Sequence, residues 1–169
     1  MATVRSLSLA LALVATGLLA GFFYAYSSSV SLGLGDLDDR GYVAAMQAIN
    51  DSIPNGVFVL SFVGAPLLLI VATALHAASH SPRLAPLLLA GGLVIGGGLL
   101  VTFLANVPLN DDLAGVDPNA GQEVLARARA DYEDPWNTWN AVRTITCTAA
   151  LASLAWALRL PASRPTTAA

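Results

Sequence analysis

Residues 135–144 read Pro135-Trp136-Asn137-Thr138-Trp139-Asn140-Ala141-Val142-Arg143-Thr144. They open the last long apolar segment of the chain and carry an arginine into it. An arginine inside a membrane span costs roughly 3 kcal/mol on insertion scales, so it usually faces a partner, a cavity or a site. At helical spacing Trp136, Asn140 and Arg143 share one face. We interpret this face as one wall of a polar pocket among apolar helices.

The composition around this segment is that of a membrane protein. The chain has 169 residues, of which 56% are hydrophobic and 11% charged, and its mean hydropathy is +0.66. Soluble domains carry about 25% charged residues. The net charge of -3 and the lack of a basic stripe in the sequence argue against nucleic acid as a partner. The single cysteine, Cys147, excludes an intrachain disulfide and a multi-cysteine metal site.

Four apolar segments are long enough to cross a bilayer, which takes ~20 residues. A basic residue before an apolar run is also typical of a secretory signal peptide, but the first run continues through Tyr24, so we favour an uncleaved span. We predict one all-α domain, residues 1–160, that forms an integral membrane four-helix bundle, followed by a disordered tail, residues 161–169. The predicted spans are 7–31, 55–76, 84–106 and 136–158.

The loops add two shorter helices. A short amphipathic helix is predicted over residues 42–52 in the first extracytoplasmic loop, with Val43, Met46 and Ile49 on its apolar face. Gln47 and Asn50 on its other face either are solvated or reach the site, and we carry both as site candidates. A second, exposed helix is predicted over residues 122–133.

Prolines and glycines indicate where the spans start, bend and pack. Pro135 is expected to begin the fourth span, and Pro108 to break or bend the end of the third. Gly92 and Gly96 form a GxxxG pair, which predicts close packing against a neighbouring helix.

Two histidines have a spacing that can bind a metal. His76 and His80 lie four residues apart, on one face of a helix. The short loop that follows contains no carboxylate, and Pro82 indicates that the helix is ending there. We therefore interpret both histidines as interfacial residues and predict no metal.

The basic residues predict the orientation. Four spans place both termini on one side of the membrane, together with four arginines. The other side carries three arginines and all the Asp and Glu residues. By the positive-inside rule the termini are cytoplasmic and the chain lies in the plasma (inner) membrane. The two sets of arginines are Arg5, Arg83, Arg159 and Arg164 inside, and Arg40, Arg127 and Arg129 outside.

This topology collects polar side chains in the outer half of the bundle. Arg143 lies about 10 Å deeper than Trp136, and we expect it to contact Asn106, Asn110 or Asn50. Such a pocket suits a flat oxygenated ligand or a developing oxyanion. The acidic candidates are only Asp51 and Asp111, and in the alternative reading Arg143 merely ties the helices together. The collected residues are Tyr24, Ser28, Gln47, Asn50, Asn55, Asn106, Asn110, Trp136, Asn140 and Arg143.

Four motifs, in order, resemble the anthrone oxygenase-like family of small four-helix membrane proteins, many of which are described only as a domain of unknown function. The resemblance covers nearly the whole chain, and the motifs are specific in combination. They are Gly21-Phe22-Phe23-Tyr24-Ala25-Tyr26-Ser27, Ala45-Met46-Gln47-Ala48-Ile49-Asn50, Asn106-Val107-Pro108-Leu109-Asn110-Asp111-Asp112-Leu113-Ala114 and Trp136-Asn137-Thr138-Trp139-Asn140-Ala141-Val142-Arg143-Thr144.

The resemblance implies a membrane oxidoreductase. Characterised members oxidise polyketide anthrones to anthraquinones with O2 and without metal or flavin, so it implies a small aromatic substrate and no cofactor. It assigns oxyanion stabilisation to Arg143 and Asn140, and aromatic stacking to Trp136 and Tyr24. It assigns orientation of the substrate to Asn106, Asn110 and Asn50. Gln47 is the remaining candidate for substrate binding. The proton acceptor is unassigned, and Asp111 is the nearest candidate.

Two other functions are compatible with the sequence. The first is a non-catalytic membrane protein, a binding or assembly subunit, in which Arg143 and the asparagines form a structural hydrogen-bond network. The second is a transporter, for which the chain is short, lacks a clear inverted repeat and would need to dimerise. The sequence leaves catalysis and homo-oligomer formation open.

Overall fold

The computed structural model describes residues 2–161, and within them the chain is helical, with no strand. Four of its helices are long, and a shorter one follows the first. The predicted disordered tail, apart from Pro161, lies outside the described residues. The helices are α1 (Thr3–Gly35), α2 (Asp39–Ser52), α3 (Gly56–Ala77), α4 (Leu84–Ala114) and α5 (Gln122–Arg159).

The four long helices α1, α3, α4 and α5 are each long and apolar enough to cross a bilayer, which takes ~20 residues. They contain 33, 22, 31 and 38 residues. The prediction of an all-α chain with four long apolar helices is confirmed. α1, α4 and α5 are longer than the predicted spans.

The prediction that Pro135 begins the fourth long helix is wrong. α5 begins at Gln122 and runs through the proline without a break. Proline removes one backbone hydrogen bond from a helix, but Leu125 and Tyr132 before it and Trp136 after it are buried in the same apolar cluster. We attribute the continuity of α5 to this packing, which holds both parts against the same neighbours. The predicted separate helix over 122–133 is therefore the first part of α5.

α4 likewise continues past Pro108, where a break or bend was predicted, and ends at Ala114. Its hydrogen bonding becomes π-helical over Val94–Leu100 and Thr102–Asn106, just before the proline. The α-helical pattern that resumes after this turn has proline in its first turn, where the missing N–H matters least. π turns occur frequently at functional sites, and another lies in α1 at Tyr26–Val30.

The short helix α2 is the predicted amphipathic helix, and it begins at Asp39 instead of residue 42. The side chain of Asp38 caps it by accepting a hydrogen bond from Gly41 N at 2.7 Å. Its apolar face, with Val43 and Met46, is buried in the cluster that also contains Leu125, Tyr132 and Trp136 of α5. α2 therefore packs over the end of the bundle.

The glycines of α4 show where this helix approaches α5. The expectation that Gly92 and Gly96 pack closely is wrong for the described residues, since a Cβ at either position would have no atom within 4 Å. The close approach lies at Gly97, where a Cβ would overlap the side chain of Thr146. The rotation of α4 about its axis decides which glycine faces the neighbour.

Two apolar clusters follow each other along the bundle. One includes Phe23 and Phe62, and the other, at the end covered by α2, includes Tyr132 and Trp136. Arg143 contacts the rings of both Phe23 and Trp136. The buried arginine therefore lies where the two clusters meet.

Candidate functional site

Arg143 is buried, with 5% of its surface exposed. Its Nη1 donates a hydrogen bond to Thr102 Oγ1 at 3.2 Å, and its Nη2 donates to Asn140 Oδ1 at 3.1 Å. The guanidinium carbon lies 4.6 Å from the ring centroid of Phe23 and 5.1 Å from that of Trp136. No carboxylate of residues 2–161 forms an ion pair with it. Neutral groups alone therefore hold this charge.

A cavity of about 220 Å³ lies beside Arg143. Arg143 was expected to contact Asn106, Asn110 or Asn50, and its side-chain hydrogen bonds among the described residues go to Thr102 and Asn140. The three asparagines line the cavity together with Arg143 instead. The polar lining is Asn50, Thr102, Asn106, Asn110 and Arg143, and the aromatic lining is Phe22, Tyr26, Phe58, Phe62, Phe103 and Trp136.

Three hydrogen bonds connect the asparagines at the outer end of this cavity. Trp136 Nε1 donates to Asn110 Oδ1 at 2.9 Å, and Tyr132 OH donates to the same oxygen at 2.8 Å. Asn50 Nδ2 donates to Tyr132 OH at 3.3 Å. The network links α2, α4 and α5, so two side chains of α5 hold the amides of α2 and α4 at one place.

Several polar atoms around the cavity lack a partner. Buried polar atoms in proteins are nearly always hydrogen-bonded, and exceptions call for an explanation. In the described part of the chain, five buried side-chain N or O atoms have none, and three of these belong to residues that line the cavity. Those three are Asn50 Oδ1, Asn106 Oδ1 and Arg143 Nε. One donor and two acceptors in residues that line one cavity are therefore left without a partner in the described part of the chain.

The family model described as anthrone oxygenase matches residues 56–153, more than half of the chain. This chain belongs to the anthrone oxygenase family. No match was found among the curated proteins or the solved structures. The range matched by the anthrone oxygenase model includes Thr102, Asn106, Asn110, Trp136 and Arg143, whereas α2 lies before it.

Asn140 positions Arg143 in this member of the anthrone oxygenase family. Its Nδ2 donates to Phe23 O at 3.1 Å and to Ser27 Oγ at 2.9 Å, while its Oδ1 accepts from Arg143. Both amide hydrogens are therefore in use, and Asn140 is absent from the cavity lining. This geometry does not support its predicted oxyanion role. Asn140 ties the guanidinium to α1.

Tyr24 lies outside the site. It is 61% exposed and does not line the cavity, so its predicted role as an aromatic wall is not supported. Tyr26 provides that wall, with its ring centroid 5.3 Å from that of Trp136. Residues two apart differ by about 200° around a helix, so only one of the two tyrosines can face the cavity, and the rotation of α1 places Tyr26 there.

Gln47 lies near the cavity but does not face it. Its Nε2 donates to Leu113 O and Val116 O, each at 2.8 Å, and so ties α2 to the end of α4. Its predicted contact with a substrate is not supported, because both donors are in use and it is absent from the lining. Of the other polar residues predicted here, Ser28 is exposed, and Asn55 caps α3.

The acidic candidates do not line the cavity. Asp51 and Asp111 are exposed, and neither lines the cavity. The described lining contains no carboxylate or imidazole. The expectation that Asp111 accepts the substrate proton is therefore not supported.

Tyr132, which was not among the predicted site residues, bonds to two of the asparagines. Tyr132 precedes Trp136 by four residues and shares its helix face, a usable signal. The prediction lost it by starting the helix at Pro135.

Arg129 secures the end of the bundle that α2 covers. Its Nη2 donates to Gly35 O at 2.9 Å, its Nη1 donates to Leu37 O at 2.7 Å, and its Nε pairs with Glu133 at 2.6 Å. The guanidinium lies 4.7 Å from the ring centroid of Tyr42. Burial, and then the nearby Glu133 carboxylate, raise the pKa of Tyr42, so this ring stays neutral. Arg129 thereby joins α5 to the end of α1 and to α2.

Substituting Arg129→Ala is expected to lower the free energy of unfolding by about 2 kcal/mol, because hydrogen bonds to a charged group contribute roughly 1.5–3 kcal/mol. Thermal unfolding of the purified protein measures it. Arg127→Ala is the matched control, since Arg127 is exposed on the same helix and should leave stability unchanged within ~0.5 kcal/mol. Equal effects of the two substitutions would contradict the assigned role.

Proposed function

We propose that this protein is an oxygenase that binds a flat aromatic ketone of the anthrone type in the cavity beside Arg143 and oxidises it with O2. The observation that carries the proposal is the buried, carboxylate-free guanidinium with a free Nε, placed at an aromatic-walled cavity. Family membership supports the reaction class. A cavity of about 220 Å³ is below the roughly 300–1,000 Å³ of drug-sized sites, which favours a compact ligand.

The proposed reaction starts from the acidity of the ligand. An anthrone carries a CH2 group between two aromatic rings and opposite a ketone, so loss of one proton gives an enolate with its charge on oxygen. A guanidinium in a site sheltered from water stabilises such an oxyanion more strongly than water does. We assign this role to Arg143, whose Nε–H has no partner among the described residues.

O2 then serves as the oxidant. The enolate carbon gives an electron pair to O2, a C–O bond forms, and the resulting peroxide takes up a proton. Loss of the second C–H proton breaks the O–O bond, forms the new C=O group and releases hydroxide, which is protonated to water. The balance is anthrone plus O2 to anthraquinone plus water. The enolate itself reduces O2, so the proposal requires no further redox group.

The proton acceptor is proposed to be water. The described lining offers no carboxylate or imidazole. A water molecule beside the ligand needs only about 10–15 Å³ of space and two or more polar partners. Asn50 and Asn106 each present a free amide oxygen that can orient a water molecule or a hydroxyl group of the ligand.

We further propose that the four long helices span the plasma membrane with both termini in the cytoplasm. Arg83 Nε donates to Leu160 O at 2.9 Å, which places the α3–α4 connection beside the end of α5. The basic residues of these segments then lie together on the inner side, as the positive-inside rule requires.

An apolar substrate is proposed to enter from the bilayer. Val59 on α3 and Phe103 on α4 line the cavity, yet they are 44% and 57% exposed. In a bilayer these exposed surfaces would contact lipid. An aromatic molecule dissolved in the membrane would therefore reach the cavity between α3 and α4.

The alternative is a structural network in a non-catalytic protein. Arg143 bonds Thr102 of α4 and, through Asn140, the backbone of α1, so it does connect three helices. This observation favours a tying role but leaves the cavity and its unpaired atoms unexplained. Variants of Arg143 separate the two functions, as set out in the Discussion.

The direct test is O2 uptake by the purified, detergent-solubilised protein with anthrone after metal chelation. We expect uptake above the spontaneous rate, with one O2 consumed and one anthraquinone formed per anthrone. Detergent without protein and heat-denatured protein are the controls. Uptake at the control rate would contradict the proposed substrate class, and uptake abolished by chelation would contradict the cofactor-free mechanism.

A further inference from the structure

The hydrogen bonds from Trp136 through Asn110 and Tyr132 to Asn50 have a direction that chemistry determines. An indole N–H can only donate, so the atom of Asn110 that it meets must be the oxygen. That oxygen carries no hydrogen, so Tyr132 OH must donate to it as well. The single hydroxyl hydrogen of Tyr132 is then in use, and the tyrosine oxygen can accept only from the amide nitrogen of Asn50.

The direction of these hydrogen bonds decides which polar atoms remain free to bind a ligand. Asn110 keeps its Nδ2, which makes no hydrogen bond to the described residues, and Asn50 keeps its Oδ1, which is buried and unpaired. Both residues line the cavity. Two chemically identical side chains therefore present opposite polarity, a donor at Asn110 and an acceptor at Asn50.

The third asparagine is fixed in the same way. Asn106 Nδ2 donates to Trp136 O at 3.3 Å, and a backbone carbonyl can only accept. Asn106 Oδ1 is thus the free atom. Trp136 therefore sets the polarity of Asn106 through its carbonyl and that of Asn110 through its indole.

We propose that Trp136 and Tyr132 act as positioning residues that fix the donor and acceptor pattern of the cavity. The site then takes a ligand with an acceptor oxygen at Asn110 and an O–H or N–H group at Asn50. The pattern of the amides rests on the hydrogen-bond geometry alone. The choice of an aromatic ketone as the ligand rests on the proposed function.

A stability test needs no ligand. Asn50→Asp and Asn110→Asp are a matched pair, since both residues are half-buried, line one cavity and bond the same hydroxyl. Asp at 110 keeps both accepted bonds, so the unfolding midpoint should change by no more than about 1 °C. Asp at 50 loses the donor to Tyr132 and should lower the midpoint by about 2–4 °C.

A double substitution separates this effect from that of the added charge. In a Tyr132→Phe background the hydroxyl is absent, so Asn50→Asp should then lower the midpoint no more than Asn110→Asp does. The proposal is overturned if Asn110→Asp is the more destabilising variant, or if the cost of Asn50→Asp is the same with and without the Tyr132 hydroxyl.

A binding test examines the ligand side of the proposal. Anthrone is titrated into the protein without O2, so that no turnover occurs, and the heat of binding is followed. The single oxygen of anthrone would accept from Asn110 Nδ2 as well as from Arg143, so Asn110→Asp, which replaces this donor by an acceptor, should weaken binding roughly tenfold or more. Asn50→Asp should weaken it less, because Asn50 already offers only an acceptor oxygen, for which anthrone has no donor. The variant that is more stable is thus expected to bind less well, which a purely structural role would not produce.

The outcomes distinguish the two proposals. If wild-type protein does not bind anthrone, the proposed function fails, and the order of the unfolding midpoints still decides the polarity. If wild-type protein binds and both Asp variants bind equally well, the assigned polarity of the cavity is wrong while the proposed function stands.

Discussion

Replacing Arg143 by glutamine is expected to leave the protein folded and to lower the rate of anthrone oxidation about 100- to 1,000-fold, the usual effect of losing one oxyanion donor. Glutamine removes the positive charge beside the cavity and the unpaired Nε. The fold should persist because a neutral amide avoids the desolvation of a buried charge, which offsets the lost hydrogen bonds to Thr102 and Asn140. The measurements are O2 uptake and the thermal unfolding midpoint of the same preparation.

Two further variants make this test decisive. Arg143→Lys keeps the charge but not the planar pair of donors, so its activity should fall between those of wild type and Arg143→Gln. Tyr24→Phe removes an exposed hydroxyl outside the cavity and should leave activity unchanged. A folded Arg143→Gln protein with wild-type activity would refute the oxyanion role. Failure of both Arg143 variants to fold would instead favour the structural network.

Replacing Gly97 by alanine is expected to destabilise the protein by about 3 kcal/mol, the upper end of the usual range for overpacking. A Cβ at this position would overlap the Oγ1, Cβ and Cγ2 atoms of Thr146. Relief by rotation is blocked, because Thr146 Oγ1 already donates to Val142 O at 2.8 Å. α4 and α5 would have to move apart at the level just below Arg143. Unfolding of the purified protein by heat or denaturing detergent measures the loss.

The neighbouring glycine provides the control. A Cβ at Gly96 meets no atom within 4 Å, so Gly96→Ala should be neutral or should stabilise by up to ~1 kcal/mol, because alanine favours helix. A destabilisation at Gly96 that equals the one at Gly97 would show that a different face of α4 packs against its neighbours in the protein.

Residue types and their spacing were enough to predict several residues of the candidate site. Arg143 was recognised because a charge in an apolar segment needs a reason, and the structure buries it. Asn50, Asn106, Asn110 and Trp136 were grouped by their level in the bundle, and all four line one cavity. The grouping worked because level depends only on helix rise and on topology.

Predicting which residues lie on the inward face of each helix was less successful. Tyr24 was singled out, whereas Tyr26, two positions on, lines the cavity, and Gly96 was expected to pack closely, whereas Gly97 does. The two glycines lie inside a π turn of α4, which changes the angle per residue locally, so an ideal helical wheel does not place them reliably. Hydrogen-bond partners are further from reach, because a 0.5–1.5 kcal/mol interaction depends on the exact placement of two side chains.

The sequence by itself determined four long apolar helices, an amphipathic helix between the first two, and an arginine that had to be accommodated inside. These follow from composition and periodicity. Both patterns extend over many residues, so a wrong assignment at one position does not change the prediction. Only the tertiary structure decided that Asn140 holds Arg143, that Tyr132 joins Asn50 to Asn110, and that Gly97 faces α5. The physical reason is that such contacts depend on how each helix is rotated against its neighbours, and packing of the whole bundle sets that rotation.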